Sequence, residues 1–79
     1  MWFVYIIGSV NSRYKYIGCT KNLKRRLIEH NNGTCSASKP YKPFRLLTYI
    51  AVEDKNKAIK LEKYLKTGSG SAFLKKRLI

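Results

Sequence analysis

The sequence predicts an α+β domain in which a small three-stranded antiparallel sheet is flanked by helices. Three observations carry this. Two short runs rich in β-branched and aromatic residues, Trp2–Ile7 and Phe44–Val52, have the composition of buried strands. Two stretches, Lys21–His30 and Lys55–Lys66, repeat apolar residues at helical spacing. The length of 79 residues leaves room for one domain, spanning 1–79, with one sheet and a few helices.

The elements follow in order. After Trp2–Ile7, the segment Gly8-Ser9-Val10-Asn11-Ser12 has turn chemistry, and Tyr14–Gly18 reads as a second strand paired antiparallel to the first. Thr20 is expected to cap a helix over Lys21–His30, which Asn32-Gly33 stops. Gly33–Pro43 is expected to be loop. Phe44–Val52 is the third strand. Asp54 caps a helix over Lys55–Lys66, ended by Thr67-Gly68, and Ser71 caps a last short helix over Ala72–Arg77.

Charge dominates the composition. Seventeen Lys and Arg stand against four acids, a formal net charge of +13. Self-repulsion on that scale destabilises a free protein, so a polyanion is the expected partner, and DNA or RNA is the commonest. A ribosome-type structural role or an anionic membrane surface fits the charge alone equally well. The one histidine and two cysteines exclude a zinc finger. Reduced thiols at Cys19 and Cys35 point to a cytoplasmic protein. The apolar start, Trp2–Ile7, is too short for a membrane span and lacks the basic lead of a signal peptide.

Polar side chains in apolar positions mark candidate sites. At 100° per residue, Leu23 and Leu27 define the inward stripe of the first helix, with His30 beside them and Arg26 on the border. Arg26 and His30, four apart, are neighbours on that helix. In the second helix Glu62 falls between Ala58 and Leu65 on the buried stripe. A carboxylate there needs a metal or a cation partner, either Arg26 or a lysine, and spacing alone favours neither. Tyr5 points away from Val4 and Ile6, and a hairpin brings it towards Tyr16. Strand tyrosines usually serve packing, with one hydrogen-bonded tip. With Arg26, His30 and Glu62, a phenol pair also has the groups that phosphodiester hydrolysis requires. Lys39, Lys42 and Arg45 surround Tyr41 and Phe44, a mixture that either tracks a nucleic-acid strand or forms a solvated loop with two aromatic anchors.

Taken together, Phe3-Val4-Tyr5, Tyr16-Ile17-Gly18, Arg26, His30 and Glu62 resemble the GIY-YIG nuclease superfamily, and in particular its small stand-alone branch, similar to the N-terminal domain of an excision-repair nuclease. The resemblance runs from Trp2 to Leu78 and extends to Leu65–Gly70 followed by Phe73–Arg77. It implies DNA cleavage with one divalent metal ion, Mg²⁺ or Mn²⁺. It also implies roles for single residues: Tyr5 as general base, Tyr16 as the group that positions water or phosphate, Arg26 as charge stabiliser, His30 as hydrogen-bond partner of a tyrosine or phosphate, and Glu62 as metal ligand. Lys21, Arg25, Lys39, Lys42, Arg45 and Lys66 are the basic residues expected to contact nucleic acid. The implied partner is DNA, with no small-molecule substrate and no membrane, and a second protein is expected to supply specificity. The chain departs from the family pattern in three places. Phe3 stands for the name-giving glycine, Cys19 stands where the repair branch has lysine, and no asparagine follows Asn56.

Overall fold

The computed structural model describes residues 1–79. Strand β1 (Trp2–Ser9) lies at the centre of the sheet, between β2 (Lys15–Thr20) and β3 (Phe44–Val52), and pairs antiparallel with both. Its composition fits that place. Val4, Tyr5, Ile6 and Ile7 are all essentially inaccessible, as a strand covered on both faces requires.

Alternation along β1 feeds two cores. Val4 and Ile6 pack with Ala58, Leu65 and Leu74 under helices α2 (Lys55–Leu65) and α3 (Gly68–Phe73). Tyr5 and Ile7 pack with Phe44 on the other face, against Leu23 and Leu27 of helix α1 (Leu23–Asn31). The sheet is thus the middle of three layers, and the predicted order of elements stands. The register opposes Tyr5 to Gly18 on one side and to Tyr49 on the other.

Several boundaries differ from the sequence reading, each for a local hydrogen-bonding reason. Thr20 does not cap α1. Its hydroxyl accepts the Asn22 N–H in a tight turn, and the Asn22 side chain takes the cap by accepting from Arg25 N at 3.0 Å. The segment expected to be loop contains one 3₁₀ turn, Lys39–Tyr41, with Pro40 at its start. Thr67 closes α2 as expected, its N–H and hydroxyl both donating to the Tyr64 carbonyl, and it also opens α3, its hydroxyl accepting from Gly70 N. Ser71 is therefore interior, and the chain ends in a π-helical turn over Leu74–Leu78. No helix is long and apolar enough to cross a membrane. Both cysteines are free thiols.

Candidate active site

The site grows from the α1 face of the sheet. Residue alternation in β1 and β2 sends Tyr5 and Tyr16 to the same side, where their rings stack with centroids 6.3 Å apart. Gly18 makes room for this. A Cβ on Gly18 would lie 2.9 Å from Tyr5 Cε1 and closer still to the phenol oxygen, so the second strand must carry glycine there. Helix α1 then brings down Arg26 and His30, one turn apart.

The Tyr5 hydroxyl is the node. It lies 2.8 Å from His30 Nε2 and accepts from Arg26 Nε at 3.3 Å. His30 Nδ1 lies 2.7 Å from Ser38 Oγ. The Ser38 hydroxyl donates to the Cys35 carbonyl at 3.3 Å, so its oxygen is free to accept from His30 Nδ1–H. His30 Nε2 is then the acceptor, and the Tyr5 proton points at it. Tyr16 covers this chain from outside, its ring 4.7 Å from that of His30. Tyr5 is 1% exposed, whereas Tyr16 is half-buried.

The electrostatics follow from burial. Desolvation pushes the Tyr5 phenol up to about 12, only partly offset by Arg26. Burial, and then the Arg26 charge, hold His30 below its ordinary value, so the imidazole is neutral at pH 7. The hydrogen bond to Tyr5 raises Arg26 above an already high value and keeps it a permanent cation. Arg26 Nη1 also donates to Glu29 at 3.1 Å, and that bond pulls the Glu29 carboxyl down. These two bonds leave Arg26 Nη2 without a protein partner. The guanidinium lines a cleft of about 440 Å³ together with Lys21, Arg25 and Trp2, among others. Lys21 and Lys55 both lie over the Trp2 ring, at 5.4 and 5.2 Å.

Glu62 stands apart from this cluster. It is half-buried rather than fully buried, and it pairs with Lys66 at 2.9 Å, not with Arg26. The helical stripe carries it to the rim of α2, where its charge reaches Cys19 and, with burial, raises that thiol. Cys19 lines the same cleft as Arg26, whereas Glu62 is not among the residues that do. No group of three or more His, Cys, Asp or Glu side chains forms a metal cage. The donor chemistry still suits a hard cation. Mg²⁺ and Mn²⁺ bind through one or two carboxylates and complete their shell with waters and substrate phosphate.

The basic residues divide. Arg25 pairs with Glu29 at 3.3 Å and Lys66 with Glu62, while Lys39 and Lys42 are exposed on the 3₁₀ segment. The two aromatics of that segment differ. Phe44 is core at 5% exposure, and Tyr41 lies flat on Tyr14 with centroids 3.9 Å apart. Phe44 is thus an anchor, while Tyr41 keeps an exposed side.

Sequence reasoning missed Ser38 and Glu29. Glu29 was visible as an i,i+3 and i,i+4 partner of Arg26 and Arg25. Ser38 left one signal: a buried histidine needs a partner on each ring nitrogen.

A pH dependence follows from this arrangement. The folded His30 binds a proton less readily than the unfolded one, whose pKa is near ~6.5. Its contribution to stability is present above that value and is lost as pH falls through the lower folded value. His30 is the only histidine, so one ¹⁵N-labelled imidazole reports the state directly. At pH 7 it should be the neutral Nδ1–H tautomer, and Ser38→Ala should shift the tautomer balance. An imidazole that is charged at pH 7, or protonated on Nε2, contradicts the assignment.

The model for the GIY-YIG catalytic domain matches residues 1–77. No curated protein and no solved structure matches the chain. With the family match covering all but the last two residues, and with a nuclease-type function as what the family brings, the chain belongs to the GIY-YIG catalytic domain family.

Proposed function

We propose that the chain is a metal-dependent endonuclease that hydrolyses DNA phosphodiester bonds at the edge of β2, between Tyr16 and Arg26. The observation that carries this is the Tyr5 hydroxyl node, which fixes Arg26 with one amino group free in a basic cleft. A scissile phosphate placed there meets a preorganised cation, which is worth most where charge develops.

The burial of Tyr5 moves the roles expected from the resemblance. A phenol that is 1% exposed, raised to about 12 and hydrogen-bonded to a neutral imidazole is a poor acceptor for a proton from water. Tyr16 is the accessible phenol. As a phenolate it orients the attacking water and takes its proton. A bond forms from the water oxygen to phosphorus, the bond to the leaving oxygen breaks, and the proton returns to that oxygen. Tyr5, His30 and Ser38 hold the arginine in place. Glu62 would hold the divalent ion beside the phosphate. When bound, that ion supplies Lewis-acid charge to the phosphate oxygens.

The ion pair between Glu62 and Lys66 favours a second reading, a nucleic-acid-binding module that does not cut. Labelled linear, nicked and branched DNA, incubated with Mg²⁺, with Mn²⁺ or with chelator, separates the two. Cleavage should need metal and fall by about 10²-fold or more in Glu62→Ala. Binding without cleavage in every condition supports the second reading, and full activity in Glu62→Ala removes the metal assignment.

A further inference from the structure

A second basic concavity lies at the hairpin end of the sheet, away from Arg26. It is a cleft of about 500 Å³ in which Arg13 and Lys15 of the hairpin, Arg45 of β3 and Lys75 of the C-terminal turn converge. No acid lines it. None of these four cations has a carboxylate partner, because the three ion pairs of the molecule use Arg25, Arg26 and Lys66. Bringing four unneutralised charges from three segments to one hollow is unfavourable in the free protein. An anion bound there relieves that repulsion.

The wall also carries hydroxyl donors. Ser9 Oγ accepts the Asn11 N–H and Ser12 Oγ accepts the Tyr14 N–H, both at 3.2 Å, which leaves each hydroxyl proton free to donate. Leu47 and the C-terminal turn put the hollow on the α2 face of the sheet, and it approaches the candidate active site at the β2 edge: Tyr14 and Lys15 line it and also line a smaller cleft shared with Tyr16 and Lys66. From Tyr16 back to Arg13 is three residues, which span at most about 10 Å because the chain bends at Arg13. The phosphates of one DNA strand advance by ~3.4 Å each along the axis.

We propose that this hairpin cleft is a second phosphate-binding site, which takes the sugar-phosphate backbone of the substrate DNA about two to four nucleotides to one side of the scissile phosphate. Its position relative to the cut rests on the reading of Tyr16 and Arg26 as the cleavage site. Its occupation by backbone phosphate does not. The site gives the DNA a direction along the edge of β2, from the Lys21 and Arg26 cleft, past Gly18, to the hairpin.

Two measurements test this. Binding of a fluorescent duplex is followed by anisotropy with chelator present, so that nothing is cut, across a series of salt concentrations. The plot of log affinity against log salt should be shallower by roughly 2 to 3 in Arg13→Gln/Arg45→Gln/Lys75→Gln, at about 0.9 for each phosphate no longer neutralised. The charge-matched Lys57→Gln/Lys60→Gln/Lys63→Gln, altered on exposed positions of α2 that line no cleft, should keep the wild-type slope. An equal loss in the control, or an unchanged slope in the cleft variant, overturns the proposal. Neutral methylphosphonates placed singly along the strand give the second arm. One group of positions, about two to four nucleotides from the cut, should weaken wild type and leave the cleft variant unaffected. Interference that disappears in the cleft variant at any other position overturns the placement. Absence of cleavage with the slope difference intact overturns the nuclease reading and not the phosphate site.

Discussion

Tyr5→Phe should slow DNA cleavage by about 10²-fold, the loss typical of one preorganised charge-stabilising group. The phenylalanine fills the same space, but the hydroxyl is where three residues meet. Without it, His30 Nε2 loses its donor and Arg26 Nε loses its acceptor. Arg26 keeps its bond to Glu29, which alone draws it towards the helix rather than the cleft. Leaving a buried nitrogen unpaired also destabilises the fold, by about 1–3 kcal/mol. The mechanism makes a sharper demand than the rate. If Tyr5 acts through Arg26, then Tyr5→Phe added to Arg26→Ala should cost little more than Arg26→Ala alone. Additive losses measured in single-turnover cleavage would show that Tyr5 has its own part in the chemistry.

The second large effect is on stability. Gly70→Ala should lose about 3 kcal/mol, at the top of the usual range for overpacking. A Cβ on Gly70 would fall 2.6 Å from Leu65 Cα and closer to the Tyr64 carbonyl, so it meets backbone, not a side chain that can swing away. Relief requires α2 and α3 to separate, and Leu65 and Leu74 belong to the core between them. For a domain of this size that corresponds to a melting temperature lower by roughly 12–24 °C. Gly68 is the internal control. Nothing lies within 4 Å of its would-be Cβ, so Gly68→Ala should be neutral or stabilise by up to ~1 kcal/mol. Equal melting temperatures for the two variants, by calorimetry, would refute the close approach.

The strands were legible because apolar runs such as Val4–Ile7 leave one reading, and the two-faced burial of β1 follows from alternation. Helix starts were less legible. Thr20, Asn22, Thr67 and Ser71 are all competent caps, and which one acts depends on turn geometry set by neighbours: the Thr20 turn in one case, the close packing of Gly70 in the other. Tyr5, Tyr16, Arg26 and His30 were nameable because polar side chains on apolar stripes are rare. Their meeting at one hydroxyl was not, since it needs the register that sets Gly18 opposite Tyr5. Ser38 lies in a loop whose path no periodicity describes. The state of Glu62 stayed open because a helical stripe fixes direction but not depth, and Lys66, one turn on, reaches it at the rim.

The division of labour between the two phenols is the centre of the account. Tyr16→Phe and wild type, on the same labelled DNA with Mg²⁺ under single turnover and with binding measured separately in chelator, test it most directly. Tyr16→Phe should bind as wild type does and cut more slowly by about 10²-fold or more. Cleavage by Tyr16→Phe at the wild-type rate would contradict it.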